Sequence, residues 1–92
     1  MVETTASKIE TVYNNLKTLQ LIKNKNYGDS ALHPIKIFSE ASSNEQLKAR
    51  LDDKLSRIAN GGYFKNDIVD IVGYLVLLLI NEEWTEFEDL ID

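Results

Sequence analysis

Apolar side chains recur with helical spacing along most of the chain. Ile9, Val12, Tyr13, Leu16 and Leu19 share one helical face, and Ser7 with Glu10 has capping-box spacing, so a first amphipathic helix is predicted. It is expected to end near residues 23–25, because Asn26-Tyr27-Gly28-Asp29-Ser30 is turn chemistry. His33-Pro34 then opens a short apolar piece, residues 35–38, read as a helical turn or two with Pro34 in first position.

A second start signal follows at Ser43 with Gln46, seconded by Ser42 with Glu45. Leu47, Leu51, Leu55 and Ile58 form one narrow stripe, closed by Asn60-Gly61-Gly62, where glycine can supply a left-handed cap. A third helix is expected from near Asn66 to about Glu83. It contains the most apolar stretch of the chain, IVDIVGYLVLLLI at residues 68–80. A helix apolar around most of its circumference belongs inside protein. Trp84, Phe87, Leu90 and Ile91 continue at helical spacing in an acidic tail, which fits a short packed helix or a docking segment. No internal repeat, low-complexity tract or linker interrupts the pattern.

The expected fold is all-α: one domain over residues 1–92, a small bundle of three main helices plus short helical segments. Three or four short helices can hardly enclose the third, so a homodimer or higher oligomer is expected to complete the burial. A compact monomeric bundle is the alternative at this size.

Composition narrows the function classes. A net charge of -5 argues against broad nucleic-acid binding, which needs a basic surface, but leaves room for a small phosphate ligand. Cysteine is absent, which removes disulfides, thiolate zinc sites and a cysteine nucleophile. Residues 1–10 are polar and lack the apolar core of a secretory signal. The apolar run falls short of the roughly 20 residues a membrane span needs. A soluble, cytoplasmic protein without membrane association is expected.

Candidate chemistry lies in three places. On the second helix Arg50, Asp53 and Arg57 share a face, with Lys54 between them and the leucine stripe; a salt-bridge ladder is the plainer reading. On the third, Asp67, Asp70 and Tyr74 share a face. Two carboxylates one turn apart, with Asp53 from the facing helix as a third oxygen donor, could hold Mg²⁺, which bridges readily to substrate phosphates. Alternatively Asn66, Asp67 and Asp70 cap the helix and complement its dipole, a role that suits Asp67 better than Asp70. Between the first two helices Lys23, Lys25, Asn26, Tyr27 and Asp29 could hold a phosphate and a base, or could simply be a basic helix end followed by a turn. His33, the sole histidine, fits a structural role beside Pro34. No dinucleotide fingerprint or P-loop occurs, and no Ser/His/Asp set is indicated by spacing.

Three of these segments, in this order, resemble the nucleotide-modification-associated family of small phage and bacterial proteins. They are Lys23-Asn24-Lys25-Asn26-Tyr27-Gly28-Asp29-Ser30, then Arg50-x-x-Asp53-Lys54-Leu55-x-Arg57, then Asp70-x-x-x-Tyr74. The resemblance covers roughly two thirds of the chain, from Leu19 to Ile80. The family in turn resembles the MazG-like all-α nucleotide pyrophosphohydrolases, which oligomerise and bind Mg²⁺ through paired acidic helix motifs, EExxE and ExxD. Asp67-Ile68-Val69-Asp70 matches ExxD with Asp for Glu. Only Asp53 stands for the first motif, Arg50 replaces an acid, and Asn26 replaces the usual Asp of the loop.

The resemblance implies a Mg²⁺-dependent pyrophosphohydrolase, with Asp53, Asp67 and Asp70 on the metal and Lys25, Arg50, Lys54 and Arg57 on the phosphates. It equally admits a non-catalytic protein that sequesters or senses a nucleotide or nucleotide-derived signal, with Lys23, Asn26, Tyr27 and Tyr74 completing the site. An acid-to-arginine exchange subtracts from a metal site but adds a phosphate donor. A third reading is a protein-interaction module that uses the acidic tail.

Overall fold

The computed structural model describes residues 2–28, 30–33 and 41–91. Among these lie three helices, α1 (Thr5–Tyr27), α2 (Ser43–Ala59) and α3 (Lys65–Asn81), and a 3₁₀ turn at Glu88–Leu90, with no strand. The all-α bundle is therefore as expected. The piece expected after His33, at residues 34–38, lies outside the described residues.

The helix ends follow local chemistry, in places a few residues from the expected ones. Thr4, rather than Ser7, caps α1: its Oγ1 accepts from the Ser7 N–H at 3.1 Å, while Ser7 Oγ accepts from the Thr4 N–H at 3.0 Å. The capping box thus sits three residues before the Ser7/Glu10 pair. At the other end α1 runs on through Asn26 and Tyr27, because Gly28 supplies the left-handed residue that closes it. Of the two serines before α2, Ser42 is the cap, accepting from the Glu45 N–H at 3.2 Å. α2 ends in a Schellman turn: Gly61 takes φ 94°, and the Gly62 N–H donates to the Arg57 carbonyl at 2.7 Å.

No side chain caps α3. Phe64 occupies the N-cap position, and Asp67 turns inward instead of closing the helix start. Asn66, Asp67 and Asp70 therefore supply no side-chain cap, although Asp67 does stand in the first turn, where its charge complements the helix dipole. The far end closes in a second Schellman turn, with Trp84 N–H donating to Leu79 O at 2.9 Å and Glu83 at φ 60°. Beyond it the tail makes one 3₁₀ turn and leaves Trp84, Phe87, Leu90 and Ile91 exposed.

α2 and α3 run antiparallel. Asn81 Nδ2 donates to Ser43 Oγ at 3.0 Å and to Asn44 Oδ1 at 2.7 Å at one end. Lys54 and Arg57 reach Asp67 at the other. Between these ends Leu47 and Leu51 are buried, Ile58 is half-buried and Leu55 looks outward at 52% exposure, so the expected four-residue stripe packs through three members. α1 lies more lightly on α3. Gln20 Nε2 donates to Gly73 O at 3.0 Å, and Lys23 meets Asp70 one turn along, so α1 and α3 are also antiparallel.

The described residues do not surround α3. Ile68, Leu75 and Ile80 remain exposed. The accessible surface is 7895 Å², against roughly 5,400 Å² for a compact monomer of this mass. The radius of gyration is 15.4 Å, against about 12 Å for a compact domain of this length. Among the described residues, no helix is long and apolar enough to cross a membrane.

Candidate functional site

The face of α1 that carries Leu16, Leu19, Gln20, Lys23 and Tyr27 meets α3 across an open cleft of about 490 Å³. α3 contributes Asp70, Gly73, Tyr74 and Leu77, and Arg50 arrives from α2. The antiparallel register grades the lining. Leu16 and Leu77 form an apolar end, while Lys23, Asn24, Tyr27 and Asp70 form a polar one. The Gln20 amide donates to the Gly73 carbonyl at 3.0 Å, which holds the walls together at mid-length.

Behind the polar end runs a chain of charges. Lys54 Nζ stands 3.1 Å from Asp70 Oδ2 and 3.3 Å from Asp67 Oδ1. Lys23 approaches Asp70 Oδ1 at 3.3 Å, and Arg57 Nη1 approaches Asp67 Oδ1 at 3.4 Å. Asp67 is only 4% exposed, and this pairing is what makes its burial tolerable. Burial by itself pushes the Asp70 carboxyl up, but hydrogen bonds from Lys54 and Lys23 outweigh it and hold Asp70 below the usual carboxylate range. Lys54 is held above the usual ammonium range, chiefly by its hydrogen bond to Asp70 and against the opposing effect of burial. Three cations on two carboxylates leave the cluster positive by one. Arg50 adds a further positive charge at the cleft and makes no ion pair among the described residues.

This arrangement sorts the candidate residues. Lys23, Tyr27, Arg50, Asp70 and Tyr74 meet in the cleft. Lys54 and Arg57 are engaged with the carboxylates, and Arg57 borders a separate hollow with Ser56, Asn60 and Phe64. Lys25 and Asn26 do not line the cleft, because extension of α1 through Tyr27 turns them to other faces of the helix. Asp29 lies outside the described residues. Asn24, which sequence reasoning passed over, lines the cleft instead. It follows Gln20 by one turn, and the signal for it was the helical period running unbroken to Gly28.

The carboxylates do not fit a divalent cation. Asp53 is exposed, and no group of three potential ligands forms among the described residues. Both oxygens of Asp70 and one of Asp67 already face Lys or Arg, which occupy the positions a metal would need.

No family model, curated protein or solved structure matches the chain.

Proposed function

We propose that the protein binds a nucleotide, or a small molecule derived from one, in the α1–α3 cleft, and that it holds this ligand without a metal-loaded catalytic centre. One observation carries the reading. Two cations, Lys23 and Arg50, and two phenol rings, Tyr27 and Tyr74, come from three separate helices to line a cleft of about 490 Å³. That volume lies within the roughly 300–1,000 Å³ of small-molecule sites. A guanidinium with no ion-pair partner among the described residues suits a phosphate, for which its planar donors are shaped. Aromatic faces suit a base, and the Asn24 amide can offer both a donor and an acceptor to a base edge. The working unit in this proposal is a homodimer.

The test is a panel of nucleoside mono-, di- and triphosphates, each with and without Mg²⁺, scored for thermal stability and for hydrolysis on one sample. A ligand of the native state must raise the melting temperature. The expected result is stabilisation by at least one nucleotide, little changed by Mg²⁺ and without turnover. A flat panel at millimolar ligand sinks the binding reading, and Mg²⁺-dependent turnover replaces it with catalysis.

A further inference from the structure

Positive charge at the cleft is local and limited. Lys23 stands 3.3 Å from Asp70 Oδ1, and Lys54 backs the other oxygen of Asp70 at 3.1 Å. Asp67 shares its Oδ1 between Lys54 and Arg57. Those three cations exceed the two carboxylates by one, and Arg50, with no ion pair among the described residues, raises the excess to two. Gln20, Asn24 and Ser30 add polar but uncharged groups to the lining, and toward the other end the walls turn apolar at Leu16, Val72 and Leu77. Beyond this patch the chain is acidic, with a net charge of -5.

We infer that the cleft is matched in charge to a nucleoside monophosphate rather than to a di- or triphosphate, its one phosphate held by Arg50 and Lys23. This rests on the nucleotide reading above and narrows its ligand class. A phosphate monoester carries about -1.5 to -2 charge near neutral pH, which a local excess of two cations offsets. Each further phosphate brings negative charge for which no cation of the lining remains, since Lys54 and Arg57 are engaged with the carboxylates. Asp70 faces the same cleft, so an added phosphate also meets a like charge. Taking unmatched charge out of water is costly, and the apolar end offers it no donor. A divalent cation carried in with the longer phosphates would find both oxygens of Asp70 already facing lysine. The acidic remainder of the chain opposes the more highly charged ligand at long range.

The test is calorimetric titration of the full chain with the mono-, di- and triphosphates of adenosine, guanosine, cytidine and thymidine. For the base that binds, the monophosphate is expected to bind about tenfold or more tighter than the triphosphate, with the diphosphate between them. Millimolar Mg²⁺ is expected to leave that order unchanged. Ribose 5-phosphate, which has the phosphate without the base, is expected to bind more weakly than the nucleotide. Asp70→Asn removes the opposing carboxylate and releases Lys23, so it is expected to narrow the preference to under about threefold. Should that variant fail to fold, the wild-type series decides alone. A triphosphate that binds as tightly as the monophosphate, with or without Mg²⁺, overturns the ligand class and leaves the nucleotide reading standing. A folded Asp70→Asn that keeps the full preference overturns charge matching as its cause. Equal binding of ribose 5-phosphate, or no binding across the panel, overturns the nucleotide reading and this inference together.

Discussion

Lys54 reaches across from α2 to place its ammonium 3.1 Å from Oδ2 of Asp70, and the same nitrogen serves Asp67 at 3.3 Å. One cation thereby joins two acids a helical turn apart and fixes α2 against the start of α3. The Lys54 side chain is only 17% exposed, so its removal leaves the nearly buried Asp67 with Arg57 alone. Lys54→Ala is expected to lower stability by about 2–3 kcal/mol, because breaking a buried pair strands a charge. Lys48→Ala, at the exposed pair with Glu45, is expected to change it by under about 0.5 kcal/mol. Urea unfolding of the two variants beside the wild type measures both.

The same cluster sets the pH limits of the fold. Asp70 ionises below its ordinary 3.8 in the native state, so its contribution is complete above that value and drains away as pH falls through the lower native one. Lys54 runs the opposite way. Its contribution is complete below its ordinary 10.5 and is lost as pH rises through the higher native value. Denaturant unfolding from pH 2 to 5 is expected to show a steeper acid limb for the wild type than for Asp70→Asn. Equal slopes would remove Asp70 from the account.

Glu83 closes α3 with φ 60°, a conformation that favours glycine. A left-handed non-glycine residue costs roughly 1–2 kcal/mol, whereas glycine gives back about 0.4–1 kcal/mol through the freer unfolded chain. The balance favours the substitution. Glu83→Gly is expected to raise stability by about 0.5–1 kcal/mol, read as a higher urea midpoint at unchanged slope.

Within the proposed binding site, Arg50 and Lys25 separate the structural reading from the sequence one. Both are basic and both belong to the motif pattern, yet only Arg50 lines the cleft. For whichever nucleotide stabilises the protein, Arg50→Ala is expected to weaken affinity about tenfold, a little over 1 kcal/mol for one charge-assisted contact. Lys25→Ala is expected to stay within about twofold of wild type. Calorimetric titration distinguishes them, and the reverse order would move the site onto the α1 end.

The helices were legible because their signals are local. The Ser42–Glu45 spacing, the glycines at 28 and 61 and the apolar period each act within a turn or two. Five cleft residues were legible for the same reason, since Lys23, Tyr27, Arg50, Asp70 and Tyr74 stand out as polar or aromatic groups at helical intervals. What escaped was the choice between neighbours. Asp53 and Lys54 differ by about 100° of rotation, and only the packing of α3 decides that the lysine turns inward and the aspartate outward. Lysine on a helix is ordinarily solvated, so nothing local announced that Lys54 would occupy the place assigned to a metal. Asn24 escaped because a turn was expected where α1 in fact continues to Gly28.

The light attachment of α1 has a thermodynamic consequence. α2 supplies the buried leucines and shares most of the ion pairs with α3, whereas α1 contributes no buried residue and, among the described residues, is tied to α3 by polar contacts at Gln20 and Lys23. The molecule therefore has two tiers of stability, and α1 is expected to open as its own cooperative unit before the helical pair unfolds. The amides of α1 should exchange with solvent faster than those of α3. A ligand in the cleft would then act as the missing core of that tier, and its affinity would be registered as slowed exchange along α1 at no change in fold.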